Sequence, residues 1–73
     1  MGFTITAAEL MAFLRSKGYT MQTGSGRHGT KAVRGAQRIP IPRHGGTMAD
    51  GTVRGILAQA GYTTNDVMEW RRR

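Results

Sequence analysis

Two histidines, His28 and His44, stand in a stretch from Gly24 to Gly46 that also carries Arg27, Lys31, Arg34, Arg38 and Arg43 and no acid. An imidazole takes or gives a proton near neutral pH, and cations beside it can hold a developing negative charge. Those residue types suit cleavage of an RNA phosphodiester without a metal. Such a cut needs a base for the 2′-hydroxyl proton, positive charge on the phosphorane oxygens, and a proton for the departing 5′-oxygen. The remaining candidates are poorer. Two histidines and four scattered acids give no metal-ligand spacing, so no metal is expected. Gly24-Ser25-Gly26 lacks the Gly-Lys-Ser/Thr and helix that complete a phosphate loop, and Ser25 has no evident activating partner. No cofactor is implied.

Eleven Lys and Arg against four Asp and Glu give the 73 residues a formal net charge of +7. The acids, Glu9, Asp50, Asp66 and Glu69, all lie outside the basic stretch. An acid-free run of cations is what phosphate binding requires, so a polyanion is the expected partner. A solvated hairpin kept soluble by its charge would have the same composition. The length fits one domain over residues 1–73 with a thin core. Without cysteine there is no disulfide or thiolate–metal staple, and a reducing compartment is expected. The apolar runs are too short to span a membrane and Met1 to Thr6 lacks the pattern of a signal peptide. A cytoplasmic protein with no membrane partner follows as the expectation.

The elements that must position these residues are legible from their punctuation. Thr6 followed by Glu9 reads as a reciprocal cap, with Ile5 stapled on Leu10, opening a helix whose stripe is Leu10, Phe13 and Leu14 and whose left-handed stop is Gly18. Tyr19 to Thr23, His28 to Val33 and Arg38 to Pro42 read as a three-stranded antiparallel meander with turns at Gly24–Gly26 and Gly35–Ala36. Ile39 and Ile41 share a face, and Pro40 and Pro42 require an edge. A hairpin turning at Gly35–Ala36 pairs residues whose numbers sum to about 71 or 72, which brings His28 opposite Arg43 or His44. Val53, Ile56, Leu57 and Ala60 define a second helix from about Ala49 to Ala60, closed by Gly61. Gly55 inside it signals either close packing on the sheet or tolerance. Thr63 and Asp66 cap a short third helix that turns Val67 and Trp70 inward and places Arg71 to Arg73 at its negative end. The expected class is α+β, with the helices on one face of the sheet and the other face open, similar to a double-stranded RNA-binding fold.

The chain resembles the HicA-type toxins, small messenger-RNA interferases of toxin–antitoxin pairs. The likeness rests on Lys17-Gly18-Tyr19, a Gly-x-His at the start of the second strand, Pro42-Arg43-His44-Gly45-Gly46, and Gly51-Thr52-Val53-Arg54-Gly55-Ile56-Leu57-Ala58-Gln59-Ala60-Gly61. The resemblance implies an endoribonuclease acting on messenger RNA, inhibited by a HicB-type antitoxin. It places the family's Gly-Ser-His on Gly26-Arg27-His28, making His28 the catalytic base. Arg27 stands at the serine position, and Lys31 where the family commonly has an aromatic. Anchoring the motif on Gly24-Ser25 instead would put Gly26 at the histidine. With His28 as base, Arg27, Lys31 and Arg43 are the nearest cations for the phosphate, and Arg34, Arg38 and His44 complete the RNA-binding set. A non-catalytic RNA-binding module of the same fold is the alternative. A DNA-binding regulator using Met48 to Tyr62 is weaker, because no helix precedes that one at helix-turn-helix spacing.

Overall fold

The computed structural model describes residues 3–23, 29–42 and 46–73. Its elements follow the expected order: α1 (Ala7–Ser16), β1 (Thr20–Thr23), β2 (Thr30–Arg34), β3 (Gln37–Ile41), α2 (Asp50–Ala60) and α3 (Thr64–Arg71). Thr6 caps α1 by accepting the Glu9 amide at 3.1 Å. The reciprocal half of that cap gives way to a stronger partner. Glu9 turns both carboxylate oxygens to Arg71 of α3, at 2.8 Å each, which leaves the Thr6 amide as a minor neighbour of the carboxylate.

α1 and α2 end in the same device. Gly18 and Gly61 adopt φ 93° and 86°, and the tyrosine that follows each glycine donates its amide back across the last turn, Tyr19 to Leu14 at 3.1 Å and Tyr62 to Leu57 at 2.8 Å. This is why β1 starts at Thr20 and not at Tyr19: the Tyr19 amide belongs to the helix end. α3 carries the full capping box, with Thr63 Oγ1 accepting the Asp66 amide and Asp66 accepting the Thr63 amide.

The sheet is an antiparallel meander in the order β1-β2-β3. Arg34 faces Gln37, Ala32 faces Ile39 and Thr30 faces Ile41, so paired numbers sum to 71. Gly35 has φ 61°, and no non-glycine residue among those described has a positive φ, the pattern of a type II′ turn. A two-residue loop closes on a hydrogen-bonded pair, here Arg34 and Gln37. Alternation then gives the β2–β3 ladder bonds to Ala32/Ile39 and Thr30/Ile41. Arg38 and Pro40 therefore turn their backbone away from β2, so the amide that Pro40 lacks is one the ladder does not need. The same alternation makes Lys31 and Val33 bond to β1 through Gln22 and Thr20, in keeping with Thr20 Oγ1 donating to the Val33 carbonyl at 3.3 Å. Met21 and Thr23 then direct their backbone groups to the outer edge of β1.

One face of this sheet carries the core. Ala32, Ile39 and Ile41 are buried with Leu10, Phe13 and Leu14 of α1, Val53, Ile56, Leu57 and Ala60 of α2, and Val67 of α3. Phe13 is the hub, with the Tyr62 and Trp70 rings packed edge-on at 5.4 and 5.6 Å. Both long helices thus cover the same face, as α+β packing demands. Gly55 resolves in favour of tolerance, since a methyl group built on it would meet nothing within 4 Å. Ahead of α1, Ile5 accepts the Met48 amide at 2.8 Å and Thr6 bridges Thr47, fastening the segment before α2 to the start of the chain. No described helix is long and apolar enough to cross a membrane.

Candidate nucleic-acid interface

The face of the sheet opposite the helices presents Thr20 and Gln22 from β1, Lys31 and Val33 from β2, and Arg38 and Pro40 from β3, because these share the parity that the core residues do not. Lys31 and Arg38 are exposed. They stand diagonally across the β2–β3 pair, since Lys31 is opposite Pro40 and Arg38 opposite Val33. Diagonal positions lie within reach of long side chains, so two ammonium and guanidinium heads share one patch. No acid lies on this face among the described residues, and neither cation pairs with a described carboxylate. Thr20 and Gln22, which drew no attention as sequence, add a hydroxyl and an amide to the patch. Period-two alternation from Met21 was the signal that would have found them.

Arg34 goes elsewhere. The expectation that the whole acid-free run forms one surface fails at this residue, for a reason of register: Arg34 and Arg38 lie on opposite faces of the hairpin. The Arg34 guanidinium stacks 4.5 Å from the centre of the Tyr19 ring and donates to the Lys17 carbonyl at 3.0 Å. Tyr19 in turn donates its hydroxyl to Gln37 Oε1 at 2.6 Å, and Gln37 donates to the Gln59 carbonyl. The arginine thereby closes the joint between α1, the hairpin and the end of α2, while remaining exposed.

Arg27, His28, Arg43 and His44 lie outside the described residues. What surrounds them in the chain is described. Thr30, two residues after His28, pairs with Ile41, two residues before Arg43. His44 is three residues beyond Ile41 and three before Thr47, which is bridged to Thr6.

Three of the four acids are occupied away from the patch. Glu9 is held by Arg71, whose hydrogen bonds are the main reason its carboxyl lies below the usual carboxylate range, against the opposing effect of desolvation. Asp50 pairs with Arg54 one turn on, at 2.7 Å, and Asp66 serves the α3 cap. Arg71 does more than sit at a helix end. It also donates to the Thr4 carbonyl at 2.7 Å and stacks 5.0 Å from the Phe3 ring centre, clasping the last helix to the start of the chain.

The family model described as "HicA toxin of bacterial toxin-antitoxin" matches residues 7–62, from the first residue of α1 to the tyrosine that closes α2. The chain belongs to the HicA toxin family. The match takes in the entire sheet, the Gly26-Arg27-His28 segment and the Pro42-to-Gly46 segment of this HicA chain, and leaves outside it α3 with Arg71, and Phe3 and Thr4, while Glu9, the carboxylate that Arg71 holds, lies within it. No curated protein and no solved structure matches the chain. Membership in a toxin–antitoxin family implies an antitoxin as partner.

Proposed function

We propose that this chain is a metal-independent endoribonuclease that cuts messenger RNA in the cytoplasm and is neutralised by a HicB-type antitoxin. The observation that carries the reading is the acid-free patch of Lys31 and Arg38 on the open face of the sheet, inside the segment that matches the HicA family. The patch borders the strand pair from which the chain runs back to His28 and on to Arg43. In this reading His28 takes the 2′-hydroxyl proton, and the freed oxygen attacks the adjacent phosphorus. Arg27, Lys31 and Arg43 hold the equatorial oxygens as charge builds, and the 5′-oxygen leaves with a proton. Arg38 extends the grip to a neighbouring phosphate, with His44 as a further contact. Such cleavage leaves a 2′,3′-cyclic phosphate on one fragment and a 5′-hydroxyl on the other.

Incubating purified protein with a long transcript, with and without EDTA, tests this directly. Cleavage that resists EDTA and leaves those end groups is the expected result. A shifted but intact transcript would instead identify a binding module of the same fold, the reading favoured by Arg27 and Lys31 standing where the family has serine and an aromatic.

A further inference from the structure

The two edges of the sheet are unequal. On β3, the backbone groups that face away from β2 belong to Arg38 and Pro40, and Pro42 continues the same parity just past the strand. Two of those three positions have no amide to offer, so no further strand can pair there in register. On β1, the outward positions are Met21 and Thr23, each with an amide and a carbonyl. No described backbone group outside β2 bonds to residues 20–23. Thr20-Met21-Gln22-Thr23 contains no charge, proline or glycine, so its shortness is the one protection of an exposed edge that its sequence supplies.

The side chains along that edge specify what would fit. Met21 is only half-buried, packed against the rim of the core on the helix side, and leaves apolar surface for a neighbour to cover. On the opposite face Gln22 stands beside Lys31, and Thr20 beside Val33, with Arg38 on the far side of Val33. A second copy of this chain would bring another +7 of charge and another pair of cations against the first.

We propose that the outer edge of β1 accepts an antiparallel strand from a partner protein, alternating apolar residues over Met21 with acidic residues over Gln22 and Lys31. The ladder would form through the Met21 and Thr23 amides and carbonyls, giving affinity through the main chain and selectivity through the alternation. The partner extends the open face by one strand and sets its carboxylates beside the patch that the RNA would occupy.

The probe is a blocked eight-residue peptide alternating Glu and Val, titrated into the full chain labelled with 15N. Binding at peptide concentrations up to about 1 mM should shift and protect the Met21 and Thr23 amides. The matched Lys/Val peptide should bind at least about tenfold more weakly. In antiparallel pairing the residues opposite Met21 and Thr23 are the valines, so N-methylation of the valine amides should abolish binding and N-methylation of the glutamate amides should not. Thr23→Pro, which copies on β1 what Pro40 does on β3, should weaken binding about tenfold with the unfolding midpoint unchanged. If that variant fails to fold, the methylated peptides still decide. Equal binding by both methylated peptides, shifts confined to Lys31 and Arg38, or no binding at about 1 mM would overturn the proposal. So would a concentration-dependent dimer, in sedimentation, that protects the same two amides.

Discussion

At the scale of single residues, exposed cations on this protein divide into those available to a ligand and those already used by the fold. Lys31 and Arg38 have no described carboxylate near them, while Arg34, Arg54 and Arg71 hold, respectively, a carbonyl and a ring, an aspartate, and a glutamate with a carbonyl. Charge alone does not distinguish them; on the sheet, parity separates Arg34 from Lys31 and Arg38. Replacing Lys31 or Arg38 with alanine should weaken RNA binding uniformly across sequences and lower the salt dependence by about one phosphate contact each, read as the slope of log affinity against log salt. Thermal stability should hardly change. Arg34→Ala should reverse that pattern, costing about 1 kcal/mol of stability through the lost carbonyl bond and ring contact, with a smaller effect on the salt slope.

Among the elements, helix ends were the most legible part of the sequence. Thr6, Gly18, Gly61 and the Thr63–Asp66 box each act through a local rule that needs no knowledge of the rest of the fold. Turn chemistry at Gly35 fixed the hairpin and, through it, the sum of 71 that the β2–β3 pairs obey. The Glu9 half of the first cap and the role of Arg71 were not legible, because the two residues are 62 positions apart and only packing brings them together. Gly55→Ala should stabilise the chain by about 0.5–1 kcal/mol, since the site is helical, open and free of positive φ. Gly61→Ala should destabilise it by about 1 kcal/mol, because alanine resists φ 86°. Chemical denaturation of the two variants checks both signs in one experiment.

For the molecule as a whole, a small core is closed by a clasp between its ends. Arg71 grips Glu9 in a two-pronged pair whose side chains are 31% and 36% exposed, so solvent screens the pair and its worth is about 1 kcal/mol at most. The acid response has a definite sign. The folded-state pKa of Glu9 is lowered, first by Arg71, so the stabilisation is complete above the unfolded value of about 4.3 and is lost as pH falls through the lower folded value. Wild type should therefore melt above Glu9→Gln at pH 7, with the gap closing as pH drops below about 4. Arg71 itself lies beyond the family-matched residues while its partner Glu9 lies within them, and its bond to the Thr4 carbonyl holds the residue before Ile5, whose carbonyl accepts the Met48 amide.

The proposed cutting chemistry assigns the base to one imidazole, and the decisive measurement is the rate of transcript cleavage by His28→Ala in the presence of EDTA, alongside its RNA affinity and melting temperature. The expected result is a loss of cleavage of at least about a hundredfold, the scale of a missing general base, with affinity and melting temperature retained. Cleavage at the wild-type rate by a folded His28→Ala protein would contradict the account.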